Sequence, residues 1–299
     1  MNIAPRSPWF LTFLFVLTAC ERPAPVEAPP VDLAAEADRI ATESIIVDGH
    51  IDVPYRLVDN PIDVSVATEG GDFDYPRAVA GRLNAPFMSI YTPASLEAEG
   101  TSYGVANDLI DSVEAIVAGA PDKFAIATSV ADVRRHFDEG LISLPLVMEN
   151  GSPIDGSFDK LAHFYDRGVR YVTLAHGLSN HISDSSYDEN RQWNGLSEFG
   201  ADLVAELNRL GIMIDISHVS DEAFWQVMDL SAVPAIASHS SARHFTPGFE
   251  RNMSDEMIRA LAARGGLIMI NFGSSFLTQE ARQWYDDMGE ARSAWMAEN

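Results

Sequence analysis

The stretch "IIVDGHID", residues 45–52, decides how the rest of the chain is read. Ile45, Ile46 and Val47 are β-branched and apolar, the composition of a strand built for an interior. The run then ends in Asp48, Gly49, His50 and Asp52. Side chains alternate along a strand, so His50 and Asp52, two residues apart, are expected on one face. The pairing alone carries little weight, because the chain holds a second His-x-Asp, His136-Phe137-Asp138. That copy lies in an amphipathic helical pattern, where positions i and i+2 point apart, and it reads as solvated surface. Strand context gives the first pair its meaning.

Working outward, short apolar runs alternate with amphipathic stretches. Strands are expected at 44–48, 85–91, 141–148, 169–174, 211–217, 233–238 and 266–272. Helical patterns lie between them at 103–118, 130–138, 158–167, 198–209, 221–230 and 254–264. Strands that are apolar throughout and separated by helices indicate a parallel sheet covered on both faces. An open doubly wound sheet and a (β/α)8 barrel both fit. No glycine fingerprint follows the first strand, which weighs against the dinucleotide-binding sheet. A TIM-type (β/α)8 barrel is therefore expected, with its eighth strand missing from this chain.

The polar residues fall at strand ends. Strand one delivers His50 and Asp52, "LPLVMEN" Glu149, "YVTLAHG" His176, "IDISHVS" His218 and "AIASHSS" His239. All C-terminal ends of a parallel barrel share one mouth, so these residues are expected in one pocket. Any one histidine is as readily a satisfied core or loop residue; five strand ends doing this together is a pattern. Buried carboxylates at Asp52 and Glu149 would need compensating positive charge, and a metal supplies it. Imidazoles mixed with carboxylates suit Zn²⁺ best, with Mn²⁺, Fe²⁺ or Co²⁺ also open. His50, Asp52, Glu149, His218 and His239 exceed what one tetrahedral zinc uses. A two-metal site sharing one carboxylate is the economical arrangement.

Composition and the N-terminus bound the setting. The apolar run "WFLTFLFVLTA" follows Arg6 and closes on "LTAC", which resembles the lipobox of bacterial lipoproteins. Residues 1–19 then read as a signal peptide and Cys20, the only cysteine, as the lipidated residue. Residues 20–33, rich in Pro, Ala and Glu, read as an extended tether, and 34–299 as the metal-dependent hydrolase barrel, incomplete at its C-terminus. This places the protein at the bacterial cell envelope, with the membrane reached through the Cys20 lipid anchor. A net charge of −24 with only Lys123 and Lys160 as lysines argues against nucleic acid as a partner.

Taken together, "VDGHID", "VMENG", "YVTLAH", "DISHVS", "ASHSSAR" and "RNMSDEMI" resemble the membrane dipeptidase (renal dipeptidase) family of zinc peptidases, within the amidohydrolase-like barrels. The resemblance implies two Zn²⁺ per subunit: His50 and Asp52 on the first, His218 and His239 on the second, and Glu149 bridging both. It implies that His176 hydrogen-bonds the scissile carbonyl and its developing oxyanion, and that Arg251 grips the substrate's terminal carboxylate. The implied reaction is hydrolysis of a dipeptide by a metal-bridging hydroxide, with a D-residue tolerated at the C-terminal position. A homodimer is left open. The family also places an aspartate at the end of an eighth strand as proton shuttle. No residue here matches it, since Asp286 and Asp287 lie in a helical pattern; a chain continuing past Asn299 accounts for this more simply than an inactive relative.

Two other readings stay open on the sequence. One is an amidohydrolase acting on N-acyl amino acids, cyclic amides or lactones, although neither lysine follows a strand, as a carbamate-bridged site would need. The other is an inactive barrel lipoprotein with a binding role.

Overall fold

The computed structural model describes residues 32–298. The signal peptide, Cys20 and all but the end of the tether lie outside them. Two compact units divide the chain between Arg39 and Ile40. Of the first, only Asp32 and the opening of a helix, Leu33–Glu43, are described. Among the described residues no helix is long and apolar enough to cross a membrane.

The second unit is built on nine strands: β1 (Ile46–Ile51), β2 (Leu83–Tyr91), β3 (Phe124–Ile126), β4 (Ile142–Leu144), β5 (Leu146–Glu149), β6 (Val169–Thr173), β7 (Met213–Asp215), β8 (Ile236–Ser240) and β9 (Leu267–Ile270). Seven form one sheet in the order β1-β2-β5-β6-β7-β8-β9, every pairing parallel. The sheet curls into a nearly closed α/β barrel whose two edge strands, β1 and β9, are not hydrogen-bonded to each other. This is a TIM-type barrel short of one strand. The curl is tight at Gly49, where a Cβ would sit 2.1 Å from Met269 Sδ and 2.6 Å from the carbonyl oxygen of Ser238. Only glycine lets β1 approach β8 and β9 so closely.

The run 141–148, expected as one strand, is two. Pro145 has no N–H to give to a ladder. Before it, β4 pairs with β3 in a separate two-stranded sheet, and after it β5 enters the barrel between β2 and β6. Helices cover the outside as the periodicity predicts, at Ser102–Gly119, Val130–Glu139, Phe158–Asp166, Glu198–Leu210, Asp221–Leu230 and Asp255–Ala263. Five begin at a serine (Ser129, Ser157, Ser197, Ser220 and Ser254) whose hydroxyl accepts the N–H three residues on. Each such cap satisfies a donor the helix cannot, which stabilises it by roughly 1 kcal/mol. The helix 198–210 turns Leu203, Val204 and Leu207 onto the sheet, whose strands β5 and β6 bury Leu146, Met148, Val169 and Val172. This layer holds the strand ends in place.

One surface expectation fails. His136 is buried, and its Nδ1 lies 3.0 Å from the hydroxyl of Ser143 on β4. The Ser143 hydroxyl satisfies Nδ1, so the short helix 130–139 can turn an imidazole inward. Burial, followed by the charge of Arg135, lowers its pKa below the ordinary histidine range.

Candidate metal centre

The C-terminal ends of β1, β5, β7 and β8, and the segment after β6, bring His50, Glu149, His218, His239 and His176 together as expected. They line a cavity of about 970 Å³. Glu149, the last residue of β5, is at the centre and 3% exposed. Its Oε2 lies 3.1 Å from His50 Nε2 and accepts a hydrogen bond from Ser89 Oγ at 3.1 Å. Its Oε1 faces the other side, 3.3 Å from Nε2 of both His218 and His239 and 3.6 Å from Nε2 of His176. The carboxylate therefore presents one oxygen to His50 and the other to His218, His239 and His176.

Two trios have donor atoms all within 4.8 Å of one another: His50, Glu149 and His239, and Glu149, His176 and His218. Either could hold a metal ion. Their membership differs from the division that the family resemblance implies, since His239 stands with His50 and His176 with His218. Asp52 is in neither trio. It falls just beyond β1, at the start of the helix Val53–Asp59, where Pro54 sits in the first turn. Its backbone has left the strand (φ −87°, ψ 29°), and its side chain is 64% exposed, so the expectation of a buried carboxylate there is wrong. The Oδ1 atom nonetheless comes within 3.3 Å of His50 Nε2.

Charge in the cluster follows from burial. Burial disfavours a charged Glu149, but the charge of His50 and the imidazoles of His218 and His239 against its other oxygen outweigh it and hold the carboxyl well below its usual range. Burial likewise opposes a charge on His50, yet Glu149, Tyr171 and Asp52 hold its pKa well above the ordinary value. Burial pushes His218 well below the histidine range, with Arg251 adding to the effect, and His239 down to about 4. His176 is also lowered, first by burial. The buried carboxylate thus draws a positive charge to itself, while its other neighbours are neutral imidazoles fit to bind a cation.

The orientation of the rings fits a cation too. His50 Nδ1 is 2.7 Å from Tyr171 Oη, whose proton is donated to the carbonyl oxygen of Gly49 at 2.9 Å. The phenol oxygen is left to accept from Nδ1–H, so Nε2, facing Glu149, is the nitrogen a cation would take in place of its proton. The Nε2 atoms of His218 and His239 are 2.8 Å apart, and His218 Nδ1 is buried without a partner. His218 also holds a left-handed backbone, φ 72°, a conformation uncommon outside glycine and concentrated at functional sites.

Arg251 is buried on the cavity wall, not on the surface. It donates from Nη1 to Ser240 Oγ and from Nη2 to the carbonyl oxygen of His239, both at 2.6 Å, and its Nε has no partner. Phe276 lies under the guanidinium, 5.5 Å from ring centre to Cζ. Asp286 and Asp287 are elsewhere, in the exposed helix Gln279–Glu298, bonded to Arg282 and Gln283 of the same helix.

A family model described as membrane dipeptidase (peptidase family M19) matches residues 34–291. The chain belongs to the membrane dipeptidase family. An uncharacterized dipeptidase of Schizosaccharomyces pombe is 32% identical over 258 residues, 81% of this chain and 63% of that protein. The dipeptidase aclJ of Aspergillus oryzae is 36% identical over 208 residues, 67% of this chain and 49% of that protein. The chain thus spans between about half and two thirds of the length of these family members. Among solved structures, a metallopeptidase from Rhodobacter sphaeroides, liganded with a phosphinate mimic of the dipeptide L-Ala-D-Ala, superposes with a TM-score of 0.72 at 27% identity. The match covers 80% of this chain and 76% of that one. Membership of a metallopeptidase family agrees with the metal-binding capacity of the two trios.

The reading of strand ends overlooked the residues behind the ligands. Tyr171 on β6, Asp215 on β7 and Ser238 on β8 each contact or orient the cluster. Asp215 carried a signal, an acid inside the apolar run "GIMIDIS". Tyr171 carried none, since an aromatic is at home in any strand.

Proposed function

We propose that this protein is a dizinc dipeptidase that cleaves the peptide bond of dipeptides and accepts a D-residue at the C-terminal position. The observation that carries this reading is Glu149, buried, with one oxygen turned to His50 and the other to His218, His239 and His176. A carboxylate so placed suits a pair of cations better than one. His50, Glu149, His218 and His239, with Asp52 beside them, are the groups that would hold the ions. When bound, zinc lowers the pKa of coordinated water to roughly 7 and polarises a carbonyl.

The protein's own groups have distinct tasks. Arg251 has three N–H groups beyond the two that bind Ser240 and His239, and it receives the terminal carboxylate of the substrate. Two of its bonds are already made, so the fork is fixed before substrate arrives. A ligand held at its carboxylate on this wall extends toward the histidines, which favours very short peptides. His176, neutral and at the rim of the cluster, donates an N–H to the carbonyl oxygen as negative charge develops there. The phosphinate dipeptide mimic bound by the Rhodobacter sphaeroides relative supports L-Xaa-D-Xaa substrates.

The test is hydrolysis by zinc-loaded full-length protein of L-Ala-D-Ala, L-Ala-Gly and L-Ala-L-Ala, beside N-acetylalanine, a hydantoin and a lactone. Cleavage confined to the dipeptides is expected. Turnover of only the cyclic or N-acyl compounds would overturn the reading. We also propose, on the "LTAC" motif, that Cys20 carries lipid and holds the site at the bacterial envelope; failure of Cys20→Ala to abolish incorporation of labelled palmitate would refute it.

A further inference from the structure

We propose that Asp215 is a positioning residue: acting through Ser238, it fixes which nitrogen of His239 carries the proton and so which one faces the metal cluster. This rests on the reading of His239 as a ligand.

Asp215 is the last residue of β7 and fully buried. Its bonds run to β6, to β8 and to the backbone two residues on in its own segment. Oδ1 accepts the backbone N–H of Ser217 at 3.1 Å and of Ser238 at 2.8 Å. Oδ2 accepts the hydroxyls of Thr173 at 2.6 Å and Ser238 at 2.7 Å. A carboxylate can only accept, so Ser238 must spend its single proton on Asp215. Its oxygen then meets His239 Nδ1 at 2.7 Å as an acceptor. His239 must hold its proton on Nδ1, and Nε2, 3.3 Å from Glu149 Oε1, is left with a lone pair. A charge on Asp215 two bonds away thereby determines what the ring offers a cation. The N–H of His239 is also tied to Ser217 Oγ at 3.1 Å, which fixes the backbone from which the ring projects.

Asp215→Asn is nearly isosteric and reverses the logic. The two backbone N–H donors cannot rotate, so the amide oxygen must stay with them. The amide NH₂ then faces the hydroxyls of Thr173 and Ser238, which become acceptors. The Ser238 proton is released toward His239 Nδ1, and the ring proton moves to Nε2, where it blocks metal binding.

The experiment uses the full-length chain and has two readouts besides hydrolysis. Long-range ¹⁵N–¹H correlation spectra of the metal-stripped protein report the tautomer of each of its 8 histidines, with His239 assigned by its loss in His239→Gln. Competition with a chromophoric chelator gives the zinc affinity. Wild type is expected to show His239 protonated on Nδ1. D215N is expected to show it on Nε2 and to bind zinc about 10- to 100-fold more weakly. Thr173→Val removes another hydroxyl from the same carboxylate oxygen without touching the Ser238 link. It should keep the wild-type tautomer and affinity, which a merely structural role for Asp215 would not allow. If D215N does not fold, Ser238→Ala, which deletes only the link, must show the same loss of the Nδ1–H form and of affinity. The proposal is overturned if D215N, or S238A in its place, retains Nδ1–H or wild-type affinity, or if T173V is impaired equally. A wild type with the pinned tautomer and tight zinc binding that cleaves no dipeptide would instead sink the dipeptidase reading alone.

Discussion

The Nε2 atoms of His218 and His239 face each other at 2.8 Å, both 3.3 Å from the same oxygen of Glu149. Burial holds both rings neutral, so two imidazole nitrogens and a carboxylate oxygen converge on one point, an arrangement that a cation stabilises. Chelation should therefore abolish dipeptide hydrolysis and added Zn²⁺ restore it. His218→Ala should lower kcat/KM at least about 100-fold, as loss of a ligand exceeds the 10- to 100-fold typical of the partners behind one. The melting temperature of the metal-free variant should stay close to that of metal-free wild type. Undiminished turnover in His218→Ala would remove this histidine from the site.

Arg251 gives a prediction about binding. Its guanidinium is pinned at Ser240 and His239 with Nε unpartnered, so loss of the side chain should cost a charge-assisted bond to substrate. Such bonds contribute roughly 1.5–3 kcal/mol, and Arg251→Ala should raise KM about 10- to 100-fold with a smaller change in kcat. Arg251→Lys should not rescue, since an ammonium cannot reproduce the fork. Dipeptide amides separate recognition from damage to the wall: wild type should discriminate against them and the alanine variant should not. Equal discrimination in both would show that Arg251 does not read the carboxylate.

Away from the site, the loop leading to the helix Tyr75–Ala80 is pinned by Asp74. This buried side chain accepts from Arg77 N and Nε and from Thr68 N at 2.9 Å each. The Arg77 side chain, then the backbone donors, hold its carboxyl far below the ordinary range. A depressed carboxyl contributes stability in full above its unfolded pKa of about 4, and that stability is lost as pH falls through the folded value. Asp74→Asn should thus have a lower urea midpoint than wild type at pH 7, and the gap should narrow as pH drops below about 4. A gap that is constant from pH 7 to pH 3 would contradict this account.

The barrel was legible because its strands are short, apolar and separated by well-capped helices. The clustering was legible because His50, Glu149, His218 and His239 interrupt such runs at their ends, where a parallel sheet collects them. What escaped depended on contacts that no local pattern encodes. Phe124–Ile126 is too short to register as a strand, and its partner run 141–148 hides a change of sheet at Pro145. His136 followed a surface pattern yet turned inward onto Ser143. Asp52 sat two residues from His50 as a strand face requires, but β1 had ended and the chain was already entering a helix. The roles of Tyr171, Asp215 and Ser238 exist only once three strands lie side by side.

The dispersal of this cluster along the chain, from His50 to His239, also bears on how the barrel withstands heat. A cation gripped by β1, β5 and β8 would act as a rivet between strands far apart in the chain. Its affinity for the native state alone would be added to the free energy of unfolding. Ion release and melting of the barrel would then be coupled.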